Sequence, residues 1–117
     1  MPTSTEQTAT IDAAALASVI NQCFDLSRLT YTFSDEQCKH FLYEGKRLRG
    51  LLVNLISARF GQELTPEVVA ANTKLAGVAK DLEKVKQELE HYAATVKSLT
   101  DIVGALEGLL KAAPLFL

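Results

Sequence analysis

A heptad ladder runs through the second half of the chain. Val68, Ala71, Leu75, Val78, Leu82, Val85, Leu89, Tyr92, Val96, Leu99, Val103, Leu106 and Leu110 follow one another at alternating steps of three and four, with no step missed. An apolar a/d seam kept over about six heptads specifies a long α-helix packed along another helix at coiled-coil geometry. Thr65-Pro66-Glu67 opens that helix with an N-cap hydroxyl, a proline at the first turn and an acid facing the positive end of the dipole. Nothing in the sequence stops it before Ala113, because Pro114 is the next proline. Uninterrupted, it is a rod on the order of 70 Å at 1.5 Å per residue.

Two shorter helices precede it. Ile11, Ala15, Val19, Cys23 and Leu26 line one face of a helix over residues 11–27, with Leu16, Ile20 and Phe24 in a second row beside them. Ser34 and Gln37 form a capping box at the head of a helix over residues 34–60, which Gly61 is expected to end in a left-handed conformation. Gly45 and Gly50 fall inside it, where each costs about 1 kcal/mol relative to Ala, so a bend or a close neighbour is expected there. The short connection before Thr65 folds the second helix back along the third.

The resulting expectation is an all-α fold of three helices (about 11–27, 34–60 and 65–113). It is a helical hairpin with a long coiled-coil-like C-terminal helix and a preceding N-terminal helix, making one domain over 11–117 after a flexible tail at 1–10. Composition agrees: apolar residues reach 48 % and prolines number three, which favours helix over short strands and turns. The second helix is too short to cover the rod, and an uncovered apolar stripe marks an interaction surface. Leu89, Tyr92, Val96, Leu99, Val103, Leu106 and Leu110 are therefore the expected interface to a second copy, as a dimer or tetramer, or to a helical protein partner.

The sequence offers little chemistry. Lys plus Arg total 12 against 14 for Asp plus Glu, a net charge of −2 that argues against general binding to nucleic acid or acidic membranes. Lys46, Arg47 and Arg49 form the densest cationic cluster and are the candidate contact for an anion, although they point around Leu48 in different directions. They lack the spacing of a phosphate-binding loop. Cys23, Cys38, His40 and His91 lack the paired spacing of a zinc site, and Glu83, Glu88 and Glu90 lack the Glu-x-x-His pairing of di-iron bundles. No catalytic, cofactor-binding or metal-ligating residue and no small-molecule substrate is expected.

Asp81, Lys86 and Glu88 fall at the flanking heptad positions that set helix register. Tyr92 is the one polar tip in the seam, and its expected role is packing. Gly104 and Gly108, four apart, allow a close helix approach, and the tail Pro114–Leu117 is expected to be buried in an oligomer. The few cysteines and the absence of a basic, apolar leader in the first ten residues point to a reducing cytoplasmic setting. The function expected is a non-enzymatic scaffold, adaptor or chaperone-like protein acting through coiled-coil self-association or partner binding. The rival classes are a peripheral membrane or toxin-like protein using the apolar segment from Val96, and a nucleic-acid-associated bundle using Lys46, Arg47 and Arg49.

Overall fold

The computed structural model describes residues 10–56, 58 and 60–112. These residues form four helices: α1 (Ala13–Leu26), α2 (Asp35–Ile56), α3 (Thr65–Val85) and α4 (Tyr92–Ala112). The expected tail up to residue 9 and the expected burial of Pro114–Leu117 lie outside the described residues.

Both α1 and α2 begin on a side-chain cap. Asp12 caps α1 by accepting from the Ala15 amide at 3.0 Å. Its own N–H donates to Asn72 Oδ1 at 2.8 Å, while Asn72 Nδ2 donates to the Thr10 carbonyl, so the start of α1 is fastened to α3. The capping box at α2 is reciprocal: the Ser34 amide donates to Gln37 Oε1 at 2.9 Å, and the Gln37 amide to Ser34 Oγ at 3.2 Å. Two expectations fail locally. Gly61 has φ −67° rather than a left-handed conformation, because α2 already ends at Ile56. Thr65 is the first residue of α3 rather than its cap, since a 3-10 turn over Gln62–Leu64 runs straight into the helix.

The largest difference is in the rod. The expected single helix over 65–113 breaks after Val85 and resumes at Tyr92, so three helices become four. Glu88 takes an extended conformation (φ −129°, ψ 92°) ahead of a 3-10 turn at Leu89–His91, and the amides of Gln87 and Glu88 both return to the Lys84 carbonyl. No Gly or Pro sits in Lys86–His91, and local propensity favours continuing the helix. Packing decides otherwise. Interrupting a helix sacrifices about four backbone hydrogen bonds at roughly 1 kcal/mol net each. Folding back buries Leu99, Ile102, Val103, Leu106 and Leu109, each contributing about 1.5–3 kcal/mol. Burial wins by several kcal/mol.

The helices therefore pair as two hairpins, α1 with α2 and α3 with α4, and α1 lies along α3 while α2 lies along α4. The expected α2–α3 hairpin is replaced: these consecutive helices sit across the diagonal of the bundle. The molecule is elongated, 55 × 26 × 18 Å. Every seam position on α3, from Val68 to Val85, is buried. At one end Phe41 is fully buried, its ring 5.1 Å from that of Phe33 and 5.6 Å from that of Tyr92, both edge-on. Tyr92 thus packs as expected, and burial, then Glu36, push its hydroxyl ionisation up.

Gly45 is the close approach. A Cβ there would stand 2.9 Å from the Phe24 ring and 3.2 Å from Cys23 Cβ, so α1 can lie this near α2 only against a glycine. Among the described residues no helix is long and apolar enough to cross a membrane.

Candidate functional site

The two faces of α2 differ in kind. Its inner face carries Cys38, Phe41, Glu44, Gly45, Leu48 and Leu55, all buried. Its outer face carries Lys39, Leu42, Tyr43, Lys46, Arg49, Val53 and Ile56, all exposed. Of the eight large apolar side chains exposed among the described residues, Leu42, Tyr43, Val53 and Ile56 make up half, and they all stand on this one helix. A helix keeps a core-facing stripe apolar for burial and has no such reason to be apolar outside. Lys39, Lys46 and Arg49 make no ion pair among the described residues, and every acid of α2 beyond Glu36 is turned inward: Glu44 alone, 3 % exposed.

The three residues of the expected anion contact separate. Lys46 and Arg49 stay on the outer face, with the Arg49 guanidinium 5.3 Å from the Phe24 ring centre. Arg47 turns toward α4 and donates to Glu107, beside the Tyr43 ring. The hydrogen bond to Glu107 pushes its ionisation up. Because both partners are well over a third exposed, this pair contributes at most about 1 kcal/mol. Arg47 is committed inside the chain and is not available with its two neighbours.

The expected coiled-coil interface is corrected more deeply. Leu99, Val103 and Leu106 are buried in this fold, 3 % exposed or less, and Tyr92, Val96 and Leu110 are half-buried. Leu89 alone of the seven is exposed, at the tip of the α3–α4 hairpin. The chain's own α3 occupies the place reserved for a partner helix. The same burial covers the large side chains Leu99, Ile102, Val103, Leu106 and Leu109 of the apolar segment from Val96. Gly104 and Gly108 are exposed, and a Cβ on either would meet nothing within 4 Å, so no helix of this chain approaches there. They border an open, mostly apolar groove of about 290 Å³ between α3 and α4, with Lys74 at its edge. Asp81 does not serve as a flanking charge; its carboxylate accepts from Ser98 Oγ at 2.9 Å, tying the two helices together.

Cys23 and Cys38 are both buried free thiols, and the histidines lie apart, so the four residues weighed for zinc are not gathered. His40 Nε2 is 3.8 Å from Glu44 Oε2, an ion-pair distance and not a hydrogen bond. Gln22 Oε1, His40 Nε2 and Glu44 Oε1 find no hydrogen-bond partner among the described residues. Glu88, Glu90 and His91 do converge, their ligand atoms within 4.8 Å of one another. A continuous helix would keep Glu88 and His91 together at i, i+3 and turn Glu90 away, so the sequence reading missed the three-residue cluster along with the turn that makes it. All three line an exposed tip, where carboxylates commonly gather without an ion.

Burial pushes the Cys23 thiol up to about 12 from an ordinary 9.0, with the Glu44 charge adding to it. The thiol stays protonated at neutral pH and packs as a small apolar group. The folded state holds this proton more tightly than the unfolded chain, so the thiol's contribution is complete below pH 9.0 and is lost as pH rises toward 12. That gap corresponds to at most about 4 kcal/mol. Cys23→Ala is expected to flatten the fall in urea-unfolding stability above pH 9.0 relative to the parent; parallel pH curves for the two proteins would contradict the assignment.

Set against protein-family models, curated proteins and solved structures, the chain matches none.

Proposed function

We propose that this chain is a non-enzymatic adaptor that works by docking a protein partner on the outer face of α2. The observation that carries the reading is the concentration of exposed apolar side chains on that helix, Val53 and Ile56 each about two-thirds exposed, interleaved with cations that form no ion pair among the described residues. The heptad seam points to partner helices in the sequence; in this fold much of it is covered internally, which supports reading the exposed face of α2, and not α4, as the docking surface. The self-association expected through Leu99, Val103 and Leu106 has no exposed side chains to act through.

A photo-reactive amino acid at position 53, compared with one at Lys80 on the exposed side of α3, tests this. Irradiation in cells is expected to give a discrete protein adduct from position 53 that Lys46→Glu abolishes, and none from position 80. Equal adducts at both positions, or adducts to lipid or nucleic acid, would overturn the reading.

A further inference from the structure

The outer face of α2 also specifies what kind of partner fits it. Placed at 100° per residue, Lys39, Lys46 and Val53 lie within about 40° of one another along the centre of the face, with Leu42 and Arg49 to one side and Tyr43 to the other. Lys39 and Lys46 therefore stand in the middle of the face, and only Arg49, over the Phe24 ring, lies toward its edge. A helix built to lie on an anionic membrane does the reverse, keeping the apolar row contiguous and the Lys and Arg on the polar flank. Burying this face in a bilayer would carry Lys46 in with it, whereas a protein surface can set a carboxylate opposite each cation.

From Lys39 to Ile56 the face spans roughly 26 Å, about five helical turns. No acid is exposed along it. Gly50 lies on the same face between Lys46 and Val53, and a Cβ there would meet nothing within 4 Å. Unlike Gly45, which makes room for α1, Gly50 is required by no contact among the described residues and costs about 1 kcal/mol of helix propensity. A missing side chain at that point lets another helix axis come close.

From this juxtaposition, in which Lys39, Lys46 and Arg49 alternate with Leu42, Val53 and Ile56 around an unneeded glycine, we infer that α2 docks an acidic amphipathic helix of another protein, with Asp or Glu flanking an i, i+3/i+4, i+7 apolar row. Among the described residues, α1, α3 and α4 of a second copy supply no such helix: α3 offers the single exposed Val69 beside Glu67, and Leu89 between Glu88 and Glu90 belongs to a three-residue turn too short to cover the face.

The inference rests on α2 being the docking face, and the test separates the two. The probe is a displayed library of 21-residue helical peptides with a fixed Leu row and randomised flanks, selected against the full chain. Acidic flanks are expected to be enriched, and the selected peptides should bind the Lys39→Gln/Lys46→Gln/Arg49→Gln variant at least about tenfold more weakly, with affinity falling as salt rises. Gly50→Leu, which raises helix propensity at a position where an added Cβ meets nothing within 4 Å among the described residues, should also cost about tenfold in binding while leaving thermal stability unchanged or raised. Neutral or basic enriched flanks, no enrichment, or selected peptides indifferent to both variants would overturn the inference. So would anionic vesicles binding through the same residues while the peptides do not. If the library fails while position 53 still gives a discrete protein adduct, the acidic-helix assignment falls and the docking face stands; if both fail, both fall.

Discussion

With Lys86–His91 replaced by six alanines, the chain is expected to double its mass in light scattering at high protein concentration and to lengthen into a rod-like particle. The reason lies in how the hairpin tip is held. Its sequence already consists of helix formers, and the heptad steps pass through Val85, Leu89 and Tyr92 without a change of phase. The turn exists because folding back buries the α4 seam against α3, and a second chain's α4 can provide the same burial. In such an exchange the core contacts cancel, leaving only the turn's own energetics and the entropy of association to decide. Alanine gains a few tenths of a kcal/mol per residue in helix propensity over Glu, His or Gln and removes the Glu88–His91 contact. A variant that stays the mass of the parent at every concentration would show that the tip is specified locally after all.

Phe41→Ala is expected to cost about 3–5 kcal/mol, because it leaves a cavity that rigid neighbours cannot fill. Phe41 is fully buried and touches both Phe33, in the α1–α2 connection, and Tyr92, at the head of α4, so it joins the two hairpins at one end of the bundle. For a chain of this size the loss corresponds to a fall in Tm on the order of 15 °C. Tyr31→Ala, on a fully exposed ring in the same connection, is expected to change nothing measurable. Urea denaturation of both variants checks the contrast, and similar midpoints would contradict the packing described here.

The helical content, the α2 capping box and the buried α3 row were legible because each is a local signal: a period, a hydroxyl three residues from a glutamine, an apolar step of three or four. The break at Lys86–His91 was not, because it is a tertiary decision taken against local preference. That one unseen turn propagates. It converts a rod into a hairpin, replaces the expected α2–α3 pairing by α3–α4, buries Leu99, Val103 and Leu106 inside the chain, and brings Glu88, Glu90 and His91 together. The proposed docking face was half visible. Lys46 and Arg49 stood out as charge, but the exposure of Leu42, Val53 and Ile56 depends on which side of α2 meets α1 and α4, and an all-apolar count along the helix cannot tell the two sides apart. The two glycines of α2 carry the same lesson: Gly45 is explained by α1, and Gly50 meets no neighbour among the described residues that explains it.

The fold-back of α4 onto α3 is the claim on which the rest depends, and the distance between spin labels at the exposed positions 67 and 111 tests it directly. Glu67 and the end of α4 border the same groove, so electron–electron dipolar measurements on the parent chain should give a single distance on the order of 10–20 Å, two packed helices plus the label arms. A continuous helix across 44 residues would separate the labels by about 66 Å. A population at that distance in the parent protein would mean that the seam is open, and the docking surface would then have to be sought on α4.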